Sequence, residues 1–224
     1  NVAVGKSSLG ACTTGQRSVA MGFQALDAAT TGSDNVAVGY EAGSGITTGI
    51  ENTFLGYFAG AGTTTTDYNT AVGASALQAN TTGAQNTAIG AKALDSNTTA
   101  NDNTALGYDS LTANTTGSNN VALGHSTLKA NTTADSNVAI GRNALLSNTT
   151  GASNVAVGSQ AGDAVTTASN GVFIGGNAGT AVTTGDTNIC IGISAGDTLT
   201  TGNSNIIIGN TARPSASGGA NQIA

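Results

Sequence analysis

Seventeen residues after Asn1-Val2-Ala3-Val4-Gly5 the chain starts the same phrase again, and it keeps that period to its end without an insertion. The counterparts begin at Ser18, Asn35, Asn52, Asn69, Asn86, Asn103, Asn120, Asn137, Asn154, Gly171, Asn188 and Asn205. A fixed short period is the mark of a solenoid, in which each repeat is one coil that buries its apolar face only against its neighbours. The expectation is an all-β chain, a parallel β-solenoid (β-roll) of about thirteen 17-residue coils over residues 1–209. Residues 210–224 read as an irregular last unit leading into a further repeat, since Asn221-Gln222-Ile223-Ala224 has the form of another opening. The chain therefore reads as a segment of something longer.

Aligned on this period, the coils form a table of tolerated substitutions. Position 1 is Asn in eleven of thirteen coils, position 5 is Gly in all thirteen, and positions 13 and 14 are Thr-Thr in all twelve complete coils. Position 4 is always a sizeable apolar residue, position 2 is Val, Ile or Thr, and position 3 is usually Ala. Three β-favouring residues closed by an invariant Gly read as a short strand and then a turn, one that needs positive φ or close backbone approach. Helix is excluded by the glycine content and the missing 3.6-residue period. Positions 8–9 and 12–14 are expected to form a second extended stretch, with position 15 turning the chain back.

Along a strand, positions 2 and 4 face one way and position 3 the other. All three are apolar or small, so no face is dedicated to water, and two covering layers are expected. One layer is expected to be the coil's own second strand, the other a further chain. Coils also compensate for each other. Leu77, Leu94, Leu111, Leu128 and Leu145 at position 9 go with Asn at position 12, whereas Gly43, Gly162, Gly179 and Gly196 go with Ile46, Val165, Val182 and Leu199. Each such coil thus supplies one large apolar group, as a core of fixed volume requires. Gly60 with Thr63 fits this rule weakly. Of eighteen charged residues, seventeen fall at positions 6, 7, 10, 16 or 17, which assigns those turns to solvent.

Composition narrows the functional classes. Twelve acidic against six basic residues disfavour nucleic acid as a partner. No stretch approaches the ~18 apolar residues of a membrane helix, so no membrane insertion is expected of this segment. At about 4.8 Å per coil the rod would be roughly 60 Å long, which puts Cys12 and Cys190 about 50 Å apart, too far to bridge. No cofactor or metal is expected. His125 is the single histidine and lies at a variable turn position, and the carboxylates Asp27, Asp95, Asp163 and Asp197 share position 10 without lying in consecutive coils. With no clustered acid, base or nucleophile, the chain reads as a non-enzyme with no catalytic residues. Asn-Thr-Thr triplets at Asn80, Asn97, Asn114, Asn131 and Asn148 arise from the repeat itself.

The candidate partner-binding residues are aromatic. Phe23, Tyr40 and Tyr57 occupy position 6 in three consecutive coils, with Phe58 beside them. At ladder spacing they would form an exposed strip able to hold a sugar ring or a protein partner. The Thr-Thr column supports an alternative function, an ice-binding β-solenoid. Only one Thr of each adjacent pair can face out, however, and inward hydroxyls bonded to turn amides would account for the other.

The units Asn35-Val-Ala-Val-Gly39, Asn86-Thr-Ala-Ile-Gly90 and Asn137-Val-Ala-Ile-Gly141, each with a small residue at position 8, resemble the head repeats of trimeric autotransporter adhesins. Similar repeats occur in phage tail fibres and related trimeric surface fibres. The resemblance implies a left-handed β-roll and a homotrimer packed through its apolar strands. It also implies an extracellular, cell-surface or virion-surface location, and a stalk or head role in attachment to a host-surface glycan or protein. Those heads commonly have shorter repeats than the 17-residue unit here, and no ligand-binding residue carries over.

Overall fold

In the computed structural model, which describes all residues from Asn1 to Ala224, the chain is all-β, with one strand of three residues per coil and no helix. It divides into two units, Asn1–Thr116 and Gly117–Ala224. The first holds β1 (Val2–Val4), β2 (Val19–Met21), β3 (Val36–Val38), β4 (Thr53–Leu55), β5 (Thr70–Val72), β6 (Thr87–Ile89) and β7 (Thr104–Leu106). The second holds β8 (Val121–Leu123), β9 (Val138–Ile140), β10 (Val155–Val157), β11 (Val172–Ile174), β12 (Ile189–Ile191) and β13 (Ile206–Ile208). Within each unit every strand pairs in parallel with the next, in register at an offset of one repeat, as in Val36↔Thr53 and Val155↔Val172. Each unit is thus a parallel β-solenoid. At its far end Ile206 also bridges Ile223, so the last unit begins one more coil.

Hydrogen bonds run round the whole perimeter, not only along the strands. Between the second and third coils, N–H groups of Val19, Leu26, Ala28 and Thr30 donate to carbonyls of Asn35, Ala42, Ser44 and Thr47. In the other direction Gly39, Glu41 and Glu51 donate to Met21, Phe23 and Ser33. Every side of the coil is therefore tied to its neighbour, which satisfies the backbone of a chain that is mostly turn.

The expected second strand is not formed. Thr30, Thr31 and Gly32 all direct their N–H groups at one acceptor, the carbonyl of Thr47, at 2.9, 3.3 and 3.3 Å. Three successive donors converging on one oxygen require the backbone to curl, whereas a strand sends alternate donors to successive acceptors. Positions 5–8 and 9–12 form tight turns, closed by bonds such as Ala25 N–H to Gly22 and Ala29 N–H to Leu26. The layer facing the strand's inner side is therefore made of turns.

The invariant Gly at position 5 meets both demands read from the sequence. Its φ lies between +124° and +142° in every coil, and a Cβ on Gly90 would stand 2.5 Å from the carbonyl oxygen of Gly107. Three further positions take left-handed backbone without needing Gly. Positions 7 and 17 do so in every coil, as at Lys92 (φ 59°) and Asp102 (φ 57°), and position 9 does so even as Leu, as at Leu94 (φ 51°). Nothing in the identity of these residues announces it.

The core is narrow and layered. Position 3 is fully buried in β2 to β13, as at Ala88 and Ala139, and so are the position-8 alanines from Ala25 to Ala195 and the position-9 leucines from Leu26 to Leu145. The exchange between positions 9 and 12 holds: Ile46, Val165, Val182 and Leu199 are buried opposite a position-9 Gly. Position 3 joins that exchange. A Cβ on Gly43 would stand 2.7 Å from the Phe54 ring, and one on Gly60 would overlap the same ring; Phe173 fills the space beside Gly162 and Gly179 in the same way. Each phenylalanine thus occupies the volume that two missing leucines leave. Phe173 also lies where a side chain at Gly171 would go, 2.6 Å from that hypothetical Cβ, whereas Phe54 coexists with Asn52 at the same two positions of the fourth coil.

Two buried asparagine columns link the coils from inside. Asn35 donates from Nδ2 to the Gly49 carbonyl at 2.7 Å, while its Oδ1 accepts the backbone N–H of Asn52 at 2.9 Å. The pattern repeats in the second unit, where Asn137 donates to Gly151 and accepts from Asn154. The position-12 asparagines do likewise. Asn97 donates to Ala100 and to Asn80 Oδ1, and Asn148 donates to Gly151 and to Asn131 Oδ1. The run stops where Val165 replaces Asn, leaving Asn148 Oδ1 buried without a partner.

Candidate functional site

Two surfaces present features that solvent alone does not account for. The first is the outer face of the strands. Because position 3 points inward, positions 2 and 4 point out in every strand, where they are exposed or half-buried. In the first unit Val4, Met21, Leu55 and Leu106 are exposed, and in the second Val121, Leu123, Ile174, Ile206 and Ile208. Every coil in each unit contributes an apolar residue at position 4, so exposed side chains alternate with half-buried ones such as Val72 and Ile140 along one apolar column. Contiguous apolar surface of this kind marks an interface. The turns are therefore not the whole solvent face.

The second surface is the aromatic turn column in the first unit, and it brings together all four residues singled out from the sequence. Phe23 stacks on Tyr40 with centroids 5.2 Å apart and planes at 15°, and Tyr40 stacks on Tyr57 at 5.4 Å and 26°. Phe58 sits edge-on to Tyr57 at 4.4 Å and to Tyr40 at 5.5 Å. The sequence places position 7 beside position 6; the positive φ of Phe58 (55°) is what swings its ring against the column. Lys6 lies over the outer face of Phe23 at 6.0 Å, a cation–π contact that the sequence analysis did not single out. The neighbouring Glu41 carboxylate holds the Tyr40 hydroxyl above the usual phenol range. Tyr40 and Tyr57 are both exposed.

The threonine pair divides between solvent and the bonds that link coils. The second Thr, from Thr14 to Thr201, is exposed in all twelve complete coils. The hydroxyl of the first donates to the carbonyl of its counterpart one coil on, as in Thr30 to Thr47 at 3.1 Å and Thr166 to Thr183 at 3.1 Å. Carbonyls, not the turn amides expected from the sequence, are the partners, because those amides already donate to the same carbonyl row.

No three metal-ligating side chains come together. Burial pushes the position-10 carboxyls Asp95 and Asp163 above the usual carboxylate range. Both cysteines are free thiols, and burial pushes Cys190 up to about 12. At the surface, Arg17 forms a bidentate pair with Asp34, with both contacts at 2.6 Å, which lowers the Asp34 carboxyl.

Comparison with known protein families, with curated proteins and with solved structures gives no match.

Proposed function

We propose that the chain is a stalk or head segment of a homotrimeric surface fibre, of the kind seen in trimeric autotransporter adhesins and phage tail fibres. In this reading the β-roll is left-handed, and three chains pack through the outward column of positions 2 and 4. One observation carries it: coil after coil, the strand's outer side chain at position 4 is apolar and either exposed, as at Leu55, Leu106 and Leu123, or half-buried, as at Val72 and Ile140. Water disfavours such a column, and three copies of one regular face can remove it with a closed symmetry. The Thr at position 2 of β4 to β7 leaves that face part polar, so hydroxyl pairs would run beside the aliphatics. Mechanistically the segment contributes rigidity, from perimeter hydrogen bonds and buried asparagine columns, and holds turn surfaces such as the aromatic column away from its base. An extracellular or virion-surface location follows from that role.

The experiment is a pair of charges on the face. Leu55→Glu with Ile89→Glu places two carboxylates in the proposed interface, and the mass in solution should fall to that of one chain with the circular dichroism of the coils retained. Unchanged mass for a trimeric parent would place the interface elsewhere.

A second reading, ice binding, draws on the exposed rank of position-14 threonines. It predicts thermal hysteresis that Thr82→Tyr and Thr99→Tyr remove. The rank is a single column, because the neighbouring position-13 hydroxyls are committed to carbonyls.

A further inference from the structure

We propose that the turns of the fourth to seventh coils form an open slot for the pyranose ring of a neutral saccharide, bounded by Tyr57 and Tyr108 and floored by Ala74 and Ala91. The slot belongs to the turn surface that the fibre reading would display, and rests on that reading only for its biological use.

Position 6 reads Lys6, Phe23, Tyr40, Tyr57, Ala74, Ala91, Tyr108 through the first unit. The stacked planes of 15° and 26° turn each ring's face along the column rather than outward. Both faces of Phe23 and Tyr40 are consequently occupied, one face of Phe23 by Lys6 and the rest by neighbouring rings. Tyr57 is different. One face lies on Tyr40, and on the other side the column continues with only the methyl groups of Ala74 and Ala91. Ala74 is exposed, and Tyr57 is the most exposed ring of the stack at 55%. The next aromatic, Tyr108, comes three coils later, about 14 Å along the ladder at about 4.8 Å per coil. With van der Waals clearance on each side, that leaves room for one or two sugar rings lying parallel to Tyr57.

The chemistry selects the occupant. A pyranose has an apolar C–H face and a rim of hydroxyls, so it asks for an aromatic face beside polar groups. Tyr57 supplies the face, the alanines a low floor, and Ser75 and Lys92 at position 7 the hydrogen-bonding rim. A flat aliphatic partner would find no extended apolar area here. The wall is also set in advance: Phe58, edge-on at 4.4 Å and 79°, holds the Tyr57 ring. A fixed wall lowers the ordering cost of binding.

The test uses tyrosine emission, which is unobscured because the chain has no Trp and only four Tyr. The 224-residue chain is titrated with methyl β-glucopyranoside, cellobiose, lactose and diacetylchitobiose. At least one sugar should give a saturable change. Ala74→Phe, which continues the ring column into the slot, should weaken that sugar by about tenfold or more, as should Tyr57→Ala. Tyr68→Ser, outside the column, should leave it unchanged. Circular dichroism establishes that each variant is folded. Absence of a saturable change with all four sugars overturns the proposal, and so does equal binding by Ala74→Phe. The slot lies within one chain, so sedimentation of the same samples separates the two readings. A trimer that binds no sugar removes the slot alone, and a monomer that binds sugar removes the assembly alone.

Discussion

Thr63→Val should stabilise the protein, although it deletes a hydroxyl from a buried site. Thr63 occupies position 12 in the fourth coil, is fully buried, and its Oγ1 has no hydrogen-bond partner. Its surroundings explain the choice of residue size. Gly60 sits at position 9, and the Phe54 ring takes up the space above it, so position 12 needs only a small branched group. The eleventh coil repeats this arrangement with Gly179, Phe173 and Val182, so the protein already contains the proposed variant at an equivalent site. Valine matches threonine in shape and keeps the same χ1 restriction, so packing is conserved while the stranded oxygen disappears. A buried polar group without a partner costs about 1–3 kcal/mol, and that is the gain expected from Thr63→Val. The reverse change, Val182→Thr, should cost a similar amount. In a solenoid each coil contacts only its neighbours, so the effect should be local. Hydrogen exchange read at amides of the third to fifth coils should slow by roughly five- to a hundredfold in Thr63→Val. Guanidinium unfolding gives the global figure. Slower exchange in both variants, or faster exchange in Thr63→Val, would refute the reasoning, because the hydroxyl would then be bonded.

Three further outcomes follow from the same geometry. Gly90→Ala should destabilise by about 3 kcal/mol or more in denaturant titration, since it sets a Cβ 2.5 Å from the Gly107 carbonyl at φ +129°. Asn137→Ala strands the buried Asn154 N–H, while the Gly151 carbonyl keeps its bond from Asn148, and should cost about 1–3 kcal/mol in the same assay. Cys190, whose thiol burial pushes from 9.0 to about 12, should resist iodoacetamide at pH 8 until denaturant is added. The folded state then holds the proton more tightly than the unfolded chain. The stability due to Cys190 is therefore fully present below pH 9 and lost as pH rises towards 12, and the Cys190→Ala variant should lack that part of the alkaline decline.

The period, the three-residue strand, the role of Gly at position 5 and the exchange between positions 9 and 12 were all legible in the sequence. Each depends on residue size or on an unfilled Cβ, and both leave a mark when thirteen coils are compared. The second strand was misread because Thr-Thr has high β-propensity, and propensity carries no information about three N–H groups sharing the Thr47 carbonyl. Left-handed backbone at positions 7 and 17 was invisible, since residues as different as Lys92, Phe58 and Asp102 adopt it. The weak fit of Gly60 with Thr63 had its cause three-dimensionally close but outside the compared positions, in the ring of Phe54. The aromatic residues were found by position alone. That Tyr57 ends the stacked column, with Tyr40 on one face, required the ring planes.

The claim that three chains cover the outward column of positions 2 and 4 is tested most directly by the mass of the folded protein in solution. Sedimentation equilibrium at micromolar concentration should give a single species at three times the 21.5 kDa chain mass. A folded species at 21.5 kDa, with the coils intact by circular dichroism, would contradict it.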